Sequence, residues 1–294
     1  MLRAGADINQ TDPEAGATAL HKACQGGHLE IVKYLVEHGI HINAVAASTG
    51  HTALMDAIWF KQAGCCRYLL ENDAAIGIPA NYGFTIDEHI DFELKVNRQQ
   101  NEKEKLLKIK RYLEERRMDD REKAGKDLFK AVLNNDLAGV KAAVSAGADI
   151  EMRYPVVNGF NDGHTPLIIA SRENEADIVR YLLEQGADVN AIEPVFGAVA
   201  LHKATYNGLF VILKILLSAP GININYQGYT NGYTPLHDAL WHGFDECADI
   251  LLDSGADVYI KGHDGKLPVD IAEEVFGSKA SITNKIRKCM ATEK

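Results

Sequence analysis

The sequence predicts an all-α repeat solenoid, built from pairs of short helices joined by tight hairpin turns. Three observations predict it: a motif that returns at a nearly fixed interval, apolar residues at helical spacing inside each return, and glycines where the helices should stop. GATALHKACQGGHLEIVKYLVEHGIHIN from Gly16, GHTALMDAIWFKQAGCCRYLLEND from Gly50, GHTPLIIASRENEADIVRYLLEQGADVN from Gly163, GAVALHKATYNGLFVILKILLSAPGININ from Gly197 and GYTPLHDALWHGFDECADILLDSGADV from Gly232 are variants of one string, and GKLPVDIAEEV from Gly265 is a shorter one. The place of Thr in T-P/A-L falls at Thr18, Thr52, Thr85, Lys126, Thr165, Val199, Thr234 and Leu267, with successive spacings of 34, 33, 41, 39, 34, 35 and 33.

Each unit reads the same way. Pro or Ala after the threonine suits a first helical turn, where a missing N–H costs nothing. In the first helix Leu20 and Ala23, with their counterparts Leu167 and Ala170, Leu201 and Ala204, Leu236 and Ala239, lie three apart on one face. The second helix carries a wider apolar stripe, Leu29, Ile31, Val32, Leu35 and Val36 in the first full repeat. Gly39, Gly186 and Gly255 then stand where a left-handed residue ends a helix. One such pair cannot cover its own apolar faces, so neighbours must stack.

Taken together, TALHKA, TPLHDA, EIVKYL, DIVRYL, GADVN and GADV resemble the ankyrin-repeat family over nearly the whole chain. The resemblance implies a curved stack with β-hairpin fingers along one edge, a concave face that binds other proteins, and no catalytic activity. It also implies a variable, exposed residue seven positions after each repeat threonine, held here by Gln25, Trp59, Arg172, Tyr206 and Trp241. The next position holds Gly26, Phe60, Glu173, Asn207 and His242. Asn43 and Asn190, which close H-I-N and D-V-N, match positions where the family allows asparagine hydroxylation.

The pattern breaks in two places. Leu2 to Asn9 match the end of a second helix with nothing before it, which suggests a fragment or an open junction. In the middle, residues 97–126 are dense in charge, yet Leu106, Leu107, Ile109, Tyr112 and Leu113 still form an apolar stripe. Residues 83–118 therefore read as a degenerate third repeat with a lengthened loop between its helices. GKDLFKAVLNNDLAGVKAAVSAGADI then reads as a fresh N-terminal capping repeat. Two stacks are expected, 1–118 and 119–294, joined by a charged helix; one continuous stack with a swollen third repeat is the alternative. The basic cluster Lys103 to Arg117 is either a solvated helix face or a contact for an acidic partner. SITNKIRKCMATEK supplies the second helix of a C-terminal cap and a frayed tail.

Composition narrows the function. A net charge of −10 opposes general attraction to nucleic acid, and no apolar run is long enough for a membrane span. The five cysteines are odd in number and contain no C-x-x-C, so neither a disulfide framework nor a zinc site is expected. Cys24, Cys65, Cys66 and Cys247 take apolar or small-residue slots, while Cys289 lies in the tail. His21, His202 and His237 share one slot directly after the repeat leucine, which points to hydrogen bonding at the turn rather than to chemistry. Asp56 and Asp238 sit in first helices with no spacing that pairs them as acid and base. No catalytic, phosphate-binding or dinucleotide motif occurs, so no enzyme, cofactor or metal is expected.

The candidate binding residues are the large or variable side chains at recurring exposed positions, since such aromatics favour interfaces over solubility. They are Trp59, Phe60, Arg172, Glu173, Tyr206, Asn207, Trp241 and His242 on the helices. Tyr154, Phe160, Phe196, Tyr229 and Tyr233 join them from the finger loops, where packing under the fingers is the competing role. The expected function is a monomeric scaffold that binds another protein, in the cytoplasm, with the nucleus or delivery into a host cell left open. Two alternatives remain: a targeting or regulatory segment of a larger enzyme or channel, and a secreted bacterial effector acting on host proteins.

Overall fold

The computed structural model describes residues 7–155 and 159–292 of the 294-residue chain. It divides into two compact units, Met1–Asp119 and Asp120–Lys294. The first contains the helix pairs α1 (Ala19–Gly26) with α2 (Leu29–Glu37) and α3 (Ala53–Trp59) with α4 (Ala63–Glu71), then α5 (Ile86–Val96) and the first part of α6 (Gln100–Leu133). The second takes up the last part of α6 with α7 (Leu137–Ser145), then α8 (Pro166–Arg172) with α9 (Ala176–Glu184) and α10 (Ala200–Tyr206) with α11 (Phe210–Leu217). It closes with α12 (Pro235–Trp241), α13 (Asp245–Asp253), α14 (Pro268–Phe276) and α15 (Ser281–Thr292). First helices pack on first helices (α1 on α3; α8 on α10 on α12 on α14) and second on second, the arrangement of a repeat stack.

Local chemistry sets the helix starts. The hydroxyls of Thr52, Thr85 and Thr165 accept the amides of Met55, Glu88 and Ile168, each at 3.3 Å. The cap residue's own amide is met from the third position on: at Val199, Nδ1 of His202 accepts it at 3.4 Å, and at Leu267 a carboxylate oxygen of Asp270 does so at 2.8 Å. The shared histidine slot behaves as expected. Nδ1 of His21 and of His237 accepts the amide of Thr18 and of Thr234, and Nε2 of His21 and His202 bonds the carbonyls of His51 and Tyr233 in the next repeat. Gly39, Gly186 and Gly255 do adopt left-handed φ of 81°, 90° and 87°.

The cores follow the repeat pattern. Leu20, Leu54, Leu69, Ile58 and Ile90 fill the first, and Leu167, Leu201, Leu213, Leu236 and Leu251 the second. Each such side chain contributes about 1.5–3 kcal/mol of burial. Cys24, Cys65, Cys66 and Cys247 are buried among them as small apolar groups. The fingers are simpler than hairpins: each is a tight turn, as where Ala46 N donates to His51 O and Gly50 N to Ala46 O. Only isolated bridges, Thr11 with Thr18 and Val45 with Thr52, are found among the described residues. Asparagines tie one turn to the next: Asn43 Oδ1 accepts the Ala75 amide at 2.8 Å, and Asn190 bonds Gly221 O and Asn223 N.

The middle of the chain corrects three expectations. No lengthened loop occurs in the third repeat, because only residues 97–99 separate α5 from α6 and the added length is helical. Lys126 opens no repeat turn; it lies inside α6, a single 34-residue helix. Leu106, Ile109 and Leu113 are buried and Tyr112 packs beside them, but Leu107 points outward and is exposed. A run rich in Glu, Lys, Arg and Leu, without proline or a capping threonine, gives the helix no reason to stop. Gly125 sits within it beside Met152, whose sulfur occupies the space a β-carbon would need. Some basic side chains of α6 pair with α5, Lys110 with Asp91 and Arg117 with Asp87, at positions partly open to solvent. The expectation for Leu2 to Asn9 lies for residues 1–6 outside the described residues, as does the end of the C-terminal tail at 293–294.

Candidate protein-binding site

Seven-residue first helices place the seventh and eighth residues after each repeat threonine at the helix end, beside the finger turns. In the second unit α8, α10 and α12 stack in register, so these positions line up along one cleft of about 700 Å³. Arg172 and Glu173 enter it from the end of α8, Tyr206 and Asn207 from α10, and Trp241 and His242 from α12. Phe160, Phe196 and Tyr233 wall it from the turns. Tyr206 is 55% exposed and Trp241 50%, a large apolar outlay for a solvated surface.

The rings are positioned by their neighbours. Tyr206 lies 4.1 Å from the His242 ring, and Trp241 stands 6.2 Å from that of Tyr233. The Arg172 guanidinium covers Phe160 at 4.6 Å, while the ammonium groups of Lys203 and Lys266 approach Phe196 and Trp241 at 5.3 and 5.8 Å. Glu193 organises the turn below: buried, it accepts the amides of Val195, Phe196 and Ala198 and pairs with Lys203 at 3.2 Å. Burial alone would raise its carboxyl, but the Phe196 amide, Lys203 and the Val195 amide outweigh that and hold it below the usual range. Burial lowers His202 to about 4, so this histidine is neutral at physiological pH and acts as part of the frame.

Two expected residues lie elsewhere. Tyr154 packs edge-on against Phe129 at 5.2 Å and belongs to the core margin, not to the cleft lining. Tyr229 is exposed, but its ring lies flat over Gly197, where any β-carbon would collide with it. Gly197 is held at a φ of 65°, so both the backbone and the tyrosine require glycine there. Val156 to Asn158, in the turn that leads to Gly163, lie outside the described residues.

The first unit carries its own cleft, of about 770 Å³. Trp59 and Phe60 line it with Phe84, Phe92 and His89, and Trp59 stacks on the His89 ring at 4.3 Å. Asp56 closes its inner side, held by Nδ1 of His51 at 2.9 Å and Nε2 of Gln25 at 3.0 Å. Sequence reasoning passed over His89, Phe92, Lys203 and Asp238, all of which line one cleft or the other. For Asp238 a signal existed: it stands four residues after its repeat threonine, the slot that Asp56 fills in the first unit. Among the described residues no group of three metal-ligating side chains comes together, and no helix is long and apolar enough to cross a membrane.

Comparison with known proteins agrees with this geometry. A family model described as ankyrin repeats in three copies matches residues 1–80, 104–193, 128–228 and 192–262. A putative ankyrin repeat protein of fowlpox virus is 35% identical over 150 residues, 49% of this chain and 42% of that protein. The putative ankyrin repeat protein YahD of Escherichia coli is 31% identical over 150 residues, 49% of this chain and 70% of that one. The tyrosine-protein kinase Shark of Drosophila melanogaster is 34% identical over 113 residues, 38% of this chain but 12% of the kinase. The chain thus spans less than half of the viral protein and about an eighth of the kinase.

Proposed function

We propose, from the premise that this chain belongs to the ankyrin-repeat family, that it binds another protein through the aromatic cleft formed by Phe160, Phe196, Tyr206, Tyr233 and Trp241. Ankyrin repeats mediate protein–protein interaction, so the general activity follows from the family. The location is our own reading. One observation carries it: successive repeats place Phe196, Tyr206 and Trp241, each about half exposed, along one cleft backed by the buried Tyr233, whose rims are already charged and paired. Tyr and Trp in a concave setting supply large contact area at low entropic cost and are the residues on which binding energy concentrates. The Trp59 and Phe60 cleft of the first unit serves a second partner or a second segment of the same one.

The test is capture from native lysate by the wild type and by a Tyr206→Ala/Trp241→Ala variant, with folding checked by circular dichroism. Loss of a wild-type partner, by roughly thirtyfold or more in affinity, supports the cleft. Equal capture by both proteins moves the site to the outer helices or to the charged face of α6. A second reading, a targeting or regulatory segment of a larger enzyme, is favoured by the match to a short part of a kinase. It predicts a catalytic domain in the same reading frame, which sequencing the full transcript would reveal.

A further inference from the structure

Two repeats place a carboxylate on the inner side of the first helix, four residues after the repeat position: Asp56 on α3 and Asp238 on α12. In the first unit both oxygens of Asp56 are occupied, Oδ1 by His51 and Oδ2 by Gln25. His51 directly precedes the repeat threonine, and Gln25 ends the first helix of the preceding repeat. The residues at the same two places around Asp238 are Tyr233 and Tyr206. Tyr233 gives its hydroxyl to Asp264 at 2.9 Å instead, and Tyr206 lies against His242. Asp238 therefore has no side-chain hydrogen bond and no ion pair among the described residues, although it is only 9% exposed and lines the cleft.

An unpartnered carboxylate at that depth is costly unless something meets it. The cations around the cleft are already matched: Lys203 to Glu193, Arg172 to Glu173 and Lys266 to Glu274. Burial, opposed only in part by Lys203, pushes the Asp238 carboxyl up to about 7, so a bound cation would draw it fully into the ionised form. The occupant must thus bring a positive charge with it, and a chain of net charge −10 favours the approach of a basic segment.

We propose that Asp238 receives an arginine side chain of the protein partner, whose guanidinium donates two N–H groups to the free oxygens while its plane lies against Tyr206 and Trp241. This rests on the protein-binding reading above and specifies the partner's chemistry. Arginine fits better than lysine for three reasons. Both carboxylate oxygens are unoccupied, which suits a bidentate fork; the flanking walls are aromatic planes; and a guanidinium gives up its water more readily than an ammonium.

The test uses three short peptides, acetyl-Gly-Arg-Gly-amide and its citrulline and lysine counterparts, titrated into the ¹⁵N-labelled full chain. The protein has two tryptophans, so the indole N–H signals of Trp241 and Trp59 report the two clefts separately. The arginine peptide should shift Trp241 saturably and leave Trp59 in place, because Asp56 is already occupied. Citrulline, which keeps the shape and loses the charge, and Asp238→Asn should each weaken binding roughly tenfold or more, and lysine severalfold. An unchanged, dispersed amide spectrum certifies the fold of the variant. Equal shifts by arginine and citrulline, no effect of Asp238→Asn, or no movement of Trp241 with any peptide overturns the inference. The capture assay separates the two failures: a partner lost with Tyr206→Ala/Trp241→Ala but kept by Asp238→Asn leaves the cleft standing and the arginine excluded. A partner kept by both removes the cleft itself.

Discussion

Asp238 shows how a single side chain can carry opposite consequences for folding and for binding. Its carboxyl rises from an ordinary 3.8 to about 7, which means the folded state holds a proton more tightly than the unfolded chain does. For a raised carboxyl the stabilising contribution is present at low pH and is lost as pH climbs through the folded value. Relative to Asp238→Asn, the wild type should therefore lose stability between about pH 4 and pH 7. At pH 8 the variant is expected to be the more stable by up to ~4 kcal/mol, with the difference gone at pH 4, as read from urea unfolding. Around Asp238, Lys203 is paired with Glu193, while His202, His237 and His242 are all held low by burial and contribute a change of opposite sign below about pH 6.5 in both proteins, so the difference between variant and wild type is the quantity that isolates Asp238. His202 is the contrasting case. Both of its ring nitrogens are engaged, one with the Val199 amide and one with the Tyr233 carbonyl. Truncation to alanine strands both partners in the interior, and urea unfolding should register a loss of about 2–3 kcal/mol above about pH 7, shrinking as pH falls toward 4 because the unfolded chain then takes up a proton that the folded imidazole refuses.

Among the elements, α6 is the one whose behaviour least resembles its neighbours'. Its first half seats Ile109 and Leu113 in the first core and buries Leu106, while Leu128 and Val132 belong to the second. The register is open to a direct check. Leu106→Ala should cost about 2–4 kcal/mol and Leu107→Ala less than about 0.5, measured by urea unfolding; equal costs would mean that the helix face is misassigned. This helix also marks where the sequence stops being legible. The repeat starts are readable because threonine and histidine side chains bond amides three residues away and proline fits a first helical turn, and the helix ends because glycine adopts the left-handed corner without strain. At Lys126 no such local signal exists, and a search for period places a turn where the chain simply continues as helix. Leu107 stands with Leu106 in the sequence because adjacent leucines both fit a broad stripe, and only tertiary burial separates them. The aromatic positions were legible from their spacing, whereas the vacancy at Asp238 was not. It depends on where Tyr233 sends its hydroxyl, which no one-dimensional pattern records.

At the scale of the whole molecule the cysteines give a global reading of packing. Cys24, Cys65, Cys66 and Cys247 are buried, and Cys289 is partly so. A thiol titration of the native protein should therefore find at most one reactive group, rising to five in denaturant. More than one at the start would mean that a stack opens readily. The repeats also differ in how their residues are employed. Leucines, alanines and turn glycines recur because every unit must stack on the next, while the residues facing the clefts change from unit to unit with little effect on the core. The pair Asp56 and Asp238 shows what that division permits. The same carboxylate is either tied down by a histidine and a glutamine or left facing a void between two tyrosines. Two substitutions, Tyr206→Gln at the exposed edge and Tyr233→His in the buried wall, would copy the first arrangement onto the second. A recognition site of this kind can thus be switched on or erased at two codons, with Tyr233 the one core side chain that changes.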